Sequence, residues 1–318
     1  MSSDIRARSR RLPFHRRIAQ LAVVRALFVA VLACTLLAAD RGEPGLGHPS
    51  LPTEVGWPVR AAFYYPWFPE SEHWATQYTP SLGKYDSSDS HVLAIHVAQA
   101  RYAGLDAFIS SYWGRDTPTA RRLPLLLDAA ARQGFHVAAY YEPESLPTPP
   151  SNSSLSQDFD SLYQSTAHLA WLRVDGKPVI FVYNTGREAS CSAVSRLLAT
   201  NQARFYLNLK VFAGYRDCPK QPDSWHQYVP AHNYDQQGSD SVSVSPGFFK
   251  FNEPTPRLAR DLHQFQADLH RQVASGARWQ LVTSFNEWGE GTAVEPSRQW
   301  QSTSGNGTYL DAMRAAYS

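Results

Sequence analysis

The feature that most constrains this chain is an alternation. Over residues 59–318, short apolar runs of strand length alternate with stretches of helical spacing. The pattern predicts strands at 61–65, 105–112, 136–141, 178–183, 205–212, 227–229, 242–244 and 279–285. It predicts helices at 92–102, 120–133, 155–169, 189–200, 256–275 and 306–317. Gly104 and Gly134 stand where two of these helices should stop. Asp89 or Ser88 is placed to cap the helix that begins near His91. The run at 178–183 is apolar throughout, as a parallel strand covered on both faces requires. Repeated βα units of this length predict a single-domain (β/α)8 TIM barrel. A doubly wound open sheet is the competitor, but no Gly-rich dinucleotide loop follows the first strand.

The barrel is preceded by a different kind of sequence. Arg6, Arg8, Arg10, Arg11, Arg16 and Arg17 lead into an apolar stretch at 18–39, interrupted by Arg25. Basic residues before an apolar run predict export, with residues 1–40 as either a cleaved signal peptide or a membrane anchor. The Gly- and Pro-rich segment 41–58 reads as a linker to the domain at 59–318. The expected location is therefore secreted, extracytoplasmic or tethered through 18–39. The chain carries a formal charge of +2 with the basic leader included. The rest is mildly acidic, which excludes a phosphate-binding face and a nucleic-acid partner. Cys34 falls in the leader. Cys191 and Cys218 remain, and they form either one disulfide or two separate buried thiols. No Cys/His spacing resembles a zinc site, so neither metal nor cofactor is expected.

In a parallel barrel the chemistry sits at the C-terminal ends of the strands. The first strand runs into Tyr65-Pro66-Trp67, followed by His73-Trp74. The second ends in Trp113, the third in Tyr141-Glu142-Pro143 and the fourth in Tyr183. The last ends in Asn286-Glu287-Trp288-Gly289-Glu290. Acidic and aromatic side chains thus converge on one end, as a sugar-binding cleft requires. Glycoside hydrolysis needs one group to protonate the leaving oxygen and a second carboxylate to supply or activate a nucleophile. Glu287 and Glu290 are the candidate catalytic pair. Tyr65, Trp67, His73, Trp74, Trp113, Tyr141, Glu142, Tyr183, Asn286 and Trp288 are candidate substrate-binding residues. A serine hydrolase is excluded, because the chain lacks a Gly-x-Ser-x-Gly elbow.

These segments, together with Tyr85 to Asp89 and Ser284 to Thr292, resemble glycoside hydrolase family 99, the endo-α-1,2-mannosidases and endo-α-1,2-mannanases. The resemblance implies a (β/α)8 barrel that needs no metal and cleaves with retention inside an α-mannoside chain. It implies that Glu287 acts as a base on the substrate 2-hydroxyl, giving a 1,2-anhydro sugar. Glu290 would protonate the leaving oxygen and then activate water. Family members usually carry His between the Trp and the second Glu, where this chain has Gly289. The resemblance therefore implies the reaction more closely than the sugar. An oligosaccharide or polysaccharide is the expected partner, and a monomer the expected state. A non-catalytic glycan-binding barrel and a domain for cell-envelope polysaccharide assembly are the other two readings.

Overall fold

The structure is a computed structural model that describes residues 54–70, 74–143, 150–184 and 190–318. The leader, most of the linker and His73 lie outside the described residues.

Among the described residues, ten strands form one sheet. They are β1 (Val59–Tyr64), β2 (Ala107–Tyr112), β3 (His136–Tyr141), β4 (Arg173–Val174), β5 (Lys177–Val182), β6 (Tyr206–Lys210), β7 (Ser224–His226), β8 (Tyr234–Gln237), β9 (Ser241–Val244) and β10 (Trp279–Val282). Their order is β7-β6-β5-β3-β2-β1-β10-β9-β8, with β4 on the side of β5. Every pairing from β7 through to β9 is parallel. The two small strands β4 and β8 are antiparallel hairpin arms. The result is a barrel-like mixed sheet that fits the (β/α)8 plan. Its two parallel ends meet through side chains. Ser243 Oγ on β9 donates to the Gln227 carbonyl just past β7 (2.5 Å), and Ser245 Oγ donates to Pro230 O (2.9 Å). No backbone ladder joins β7 to β9 among the described residues.

Among the described residues, six α-helices connect or follow the strands. They are α1 (Ser90–Tyr102), α2 (Pro118–Ala131), α3 (Asn152–Ser165), α4 (Cys191–Asn201), α5 (Leu262–Ala274) and α6 (Gly307–Tyr317). All but α6 start at a side-chain cap. Asp89 accepts from His91 N (2.8 Å), one of the two caps the sequence predicted, and Thr117 opens α2 with Pro118 at its first position. The predicted helix at 256–275 begins only at Leu262, because Phe248 exchanges backbone bonds with Leu258 and Asp261 caps the helix proper. The strand predicted at 227–229 lies three residues earlier. Beyond His226 the carbonyls of Gln227 and Tyr228 are taken by Ser243 and Thr283 side chains, which ends the ladder. The short arms β4 and β8 carry too few residues to show periodicity.

Cys191 at the start of α4 and Cys218 after β6 form a disulfide. A crosslink spanning 27 residues restricts the unfolded chain by about 3–4 kcal/mol in the chain-entropy account. Thiol reduction should lower unfolding free energy by that order in a denaturant titration, and an unchanged midpoint would contradict it.

Candidate active site

Side chains on a strand alternate faces, and this sheet uses the alternation to build two cores. Ala62 and Tyr64 on β1, Phe108 and Tyr112 on β2, and Val137 and Tyr141 on β3 pack outward in the core that includes the helices. Phe63 and Tyr65, Ile109, Tyr140, Phe181 and Tyr206 point into the barrel with Tyr228 and Trp279. Near its middle the interior is a ring of aromatic groups. Phe63 lies 4.8 Å from Tyr140, 6.3 Å from Phe181 and 5.1 Å from Tyr228, centroid to centroid. His226 sits among them, 2.9 Å from Asn208 Oδ1 and 3.1 Å from the Tyr140 hydroxyl. Burial holds its imidazole well below the ordinary histidine range, so it is neutral and fills the floor.

Above this floor the strand ends bring three carboxyl groups together. Glu142 follows β3 at an inner position and is buried against Ser111 Oγ of β2. Glu287 lies in the turn after β10 and is only 4% exposed. Its Oε1 accepts from Glu290 N (3.1 Å), and Gly289 N–H also bonds the carboxyl group. Its Oε2 is buried with no hydrogen-bond partner among the described residues. Burial, then the negative charge of Glu290 and Glu142, push the Glu287 carboxyl well above the usual range. Gly289 permits this tether. A Cβ there would lie 3.0 Å from Glu287 Oε1.

Glu290 is half-buried. Its Oε2 accepts from the Tyr228 hydroxyl at 3.3 Å. Burial raises its carboxyl, while Lys250, the Tyr228 hydrogen bond and Arg257 pull the other way. Tyr228→Phe removes the one hydroxyl in that balance. The Glu290 pKa should rise, carrying the alkaline limb of kcat/KM to higher pH, with activity falling about tenfold. An unmoved limb in a pH–rate profile would count against this contact. The wall is aromatic. Tyr65 and half-buried Trp67 stack at 4.4 Å with planes 28° apart, and Trp113 lies 5.5 Å beyond Trp67. Tyr183 stands on the other side, 6.4 Å from Tyr228, with the Lys210 ammonium over its ring.

The predicted residues therefore divide. Glu287, Glu290, Glu142, Tyr65, Trp67, Trp113 and Tyr183 gather at one end of the barrel. Four others have their side chains engaged elsewhere in the structure. Tyr141 has outward parity, and its hydroxyl donates to Asp158 of α3 (2.9 Å). Trp74 is packed face-on to Phe68 at 4.1 Å and buried. Trp288 is fully buried, with its indole N–H on Glu295 Oε2 (3.0 Å). Asn286 is fully buried too; its amide spans the backbone N and O of Tyr65 at 2.7 and 3.0 Å. His73 lies outside the described residues. Sequence reasoning missed Tyr140, Ser111 and Tyr228. Parity with Glu142 points to Tyr140, but nothing in the irregular region around 228 singles out Tyr228.

Comparison with known proteins agrees with this architecture. A sequence model described as glycosyl hydrolase family 99 matches residues 56–207. That stretch holds Tyr65, Trp67, Trp113, Glu142 and Tyr183, while Glu287 and Glu290 lie beyond it. Among solved structures, the family 99 endo-alpha-mannosidase of Bacteroides thetaiotaomicron in complex with bis-tris-propane is 21% identical. It superposes with a TM-score of 0.66 over 81% of this chain and 95% of that one. A second structure of that enzyme gives 20% identity and a TM-score of 0.64, over 81% of this chain and 98% of that one. A glycoside hydrolase-like protein gives 18% and 0.61, over 86% and 97%. At these identities the structural likeness is one of fold. The sequence match makes residues 56–207, just under half of the chain, similar to glycosyl hydrolase family 99, and the solved structures share the fold that carries them.

Proposed function

We propose that this protein is a retaining, endo-acting glycoside hydrolase that cleaves an α-glycan of α-mannoside type through Glu287 and Glu290. The observation that carries the reading is Glu287. Its carboxyl group is buried at the barrel mouth, with one oxygen tethered by backbone N–H groups and the other unpartnered among the described residues. A polar atom left unpartnered in a buried site is costly, and a substrate hydroxyl would satisfy it. A carboxylate whose pKa is raised by burial is also a stronger base.

In this mechanism Glu287 takes the proton from the sugar 2-hydroxyl while that oxygen attacks C1. Glu290 protonates the departing glycosidic oxygen, so the C1–O bond breaks and a 1,2-anhydro sugar forms. Glu290, now ionised, takes a proton from water as the water attacks C1. Glu287 returns its proton to O2, and the product keeps the starting configuration. Two inversions at one carbon produce that retention. Tyr65 and Trp67 offer a stacked aromatic platform suited to a sugar ring. Gly289 leaves the sugar identity open, since it supplies only backbone where relatives present a side chain.

The reading includes export. Residues 18–39 would act as a signal peptide or tether, and the Cys191–Cys218 disulfide supports an oxidising compartment. The protein would act as a monomeric domain at 59–318. The test is product analysis with a panel of α-linked oligosaccharides and polysaccharides that includes α-1,2-mannosides. Internal cleavage with retention supports the reading. Cleavage of another glycan alone would keep the mechanism and discard the mannoside assignment. Binding without any cleavage, by folded protein, would make it a glycan-binding barrel.

A further inference from the structure

Behind the turn that carries Glu287 lies a second, buried polar system. Glu295 is fully buried. Its Oε2 accepts from the Tyr85 hydroxyl (2.7 Å) and from the Trp288 indole N–H (3.0 Å). Its Oε1 lies 3.3 Å from His96 Nε2, and His96 Nδ1 lies 3.0 Å from the Tyr64 hydroxyl. The Tyr85 hydroxyl in turn accepts from Asn286 Nδ2 (3.3 Å). Asn286 also brackets the backbone of Tyr65.

Residues 286 and 288 flank Glu287 in sequence, and both end on this one carboxyl group, Trp288 directly and Asn286 through Tyr85. A buried carboxyl is an expensive way to fill a core, since apolar packing of equal volume is often as stable or better. Glu295 Oε1 and His96 Nε2 make no hydrogen bond among the described residues, so the fixed arrangement comes from the Oε2 branch, which holds Tyr85 and Trp288. We infer that Glu295, acting through Tyr85, Asn286 and Trp288, is the positioning residue that fixes the orientation of Glu287 and of the Tyr65 backbone at the end of the neighbouring strand β1. The inference rests on Glu287 as the reacting carboxylate.

The sharpest probe is Tyr85→Phe. It removes one hydroxyl and keeps the ring, which packs edge-on against Phe68 at 5.3 Å, Trp74 at 4.8 Å and His96 at 4.9 Å. Tyr64→Phe is the matched control: it deletes a hydroxyl from the far end of the same chain of contacts, beyond His96. Tyr85→Phe should lower kcat ~10- to 100-fold with KM nearly unchanged, the loss expected when a reacting group shifts by a fraction of an ångström. Tyr64→Phe should stay within about threefold, being outside the path to Asn286. Glu295→Gln keeps an oxygen for both donors and should retain most activity, whereas Glu295→Ala should not. A crystal structure of Tyr85→Phe reads the carboxyl position directly. Wild-type kcat in Tyr85→Phe, with Glu287→Gln inactive, would overturn the positioning role and leave the catalytic reading intact. Activity in Glu287→Gln would sink the catalytic reading instead. In that case a Glu287 carboxyl unmoved in the Tyr85→Phe crystal structure overturns positioning, and a displaced one supports it.

Discussion

Glu287→Gln should abolish turnover, even on substrates with activated leaving groups, and at the same time make the protein more stable at neutral pH. The kinetic loss follows from the order of events. If the base step accompanies C1–O cleavage, a better leaving group cannot replace it. A drop of about 10³-fold or more is expected, because acid/base groups alone contribute about 10²–10⁴. The stability gain follows from the raised carboxyl. A group whose folded pKa lies above its unfolded value leaves the fold unpenalised below the unfolded pKa. Stability is then lost as pH rises through the folded pKa. Removing Glu287 removes that loss. The variant should melt a few degrees higher at neutral pH and match wild type near pH ~4, where the carboxyl is protonated in both states. Thermal melts across pH, paired with initial rates, check both halves. Retained activity would contradict the base role, and a lower melting point at neutral pH would contradict the raised carboxyl.

Glu290→Gln should divide substrates by leaving group. Natural glycosides, whose departing oxygen needs a proton, should lose about 10²–10⁴-fold in kcat. Aryl glycosides with acidic leaving groups should undergo the first step nearly normally. They should then stall at water attack, giving a burst followed by a slow phase. Added azide needs no base and should speed that phase. A uniform loss across leaving groups would remove Glu290 from the acid role. Ligand binding should survive in both variants, since the aromatic wall of Tyr65, Trp67 and Trp113 is untouched.

Much of this protein is legible from its sequence because parallel strands announce themselves. The run at 136–141 coincides with β3, and the Asp89 cap was readable to within one residue. The convergence of Glu142, Glu287 and Glu290 followed from strand ends alone. Facing was harder. Tyr140 and Tyr141 are chemically identical, and only the register of β3 sends the first into the barrel and the second onto Asp158. Asn286 and Trp288 were expected to bind substrate because they flank Glu287. Their polar atoms are instead occupied by the Tyr65 backbone and by Glu295. Tyr228 was invisible because it follows a three-residue strand sealed by serine and threonine side chains rather than by a ladder.

The nested cores bear on how such a protein can change over generations. Every strand residue serves either the cleft side or the helix side, by parity. Deleting one residue within β3 would exchange Tyr140 with Tyr141 and turn Glu142 from the pocket toward the helices. New glycan preferences can therefore arise by substitution at inner positions or by lengthening the loops beyond the strands. Insertions and deletions inside the strands are closed to them, so divergent relatives should differ freely in loop length while their strands stay the same length.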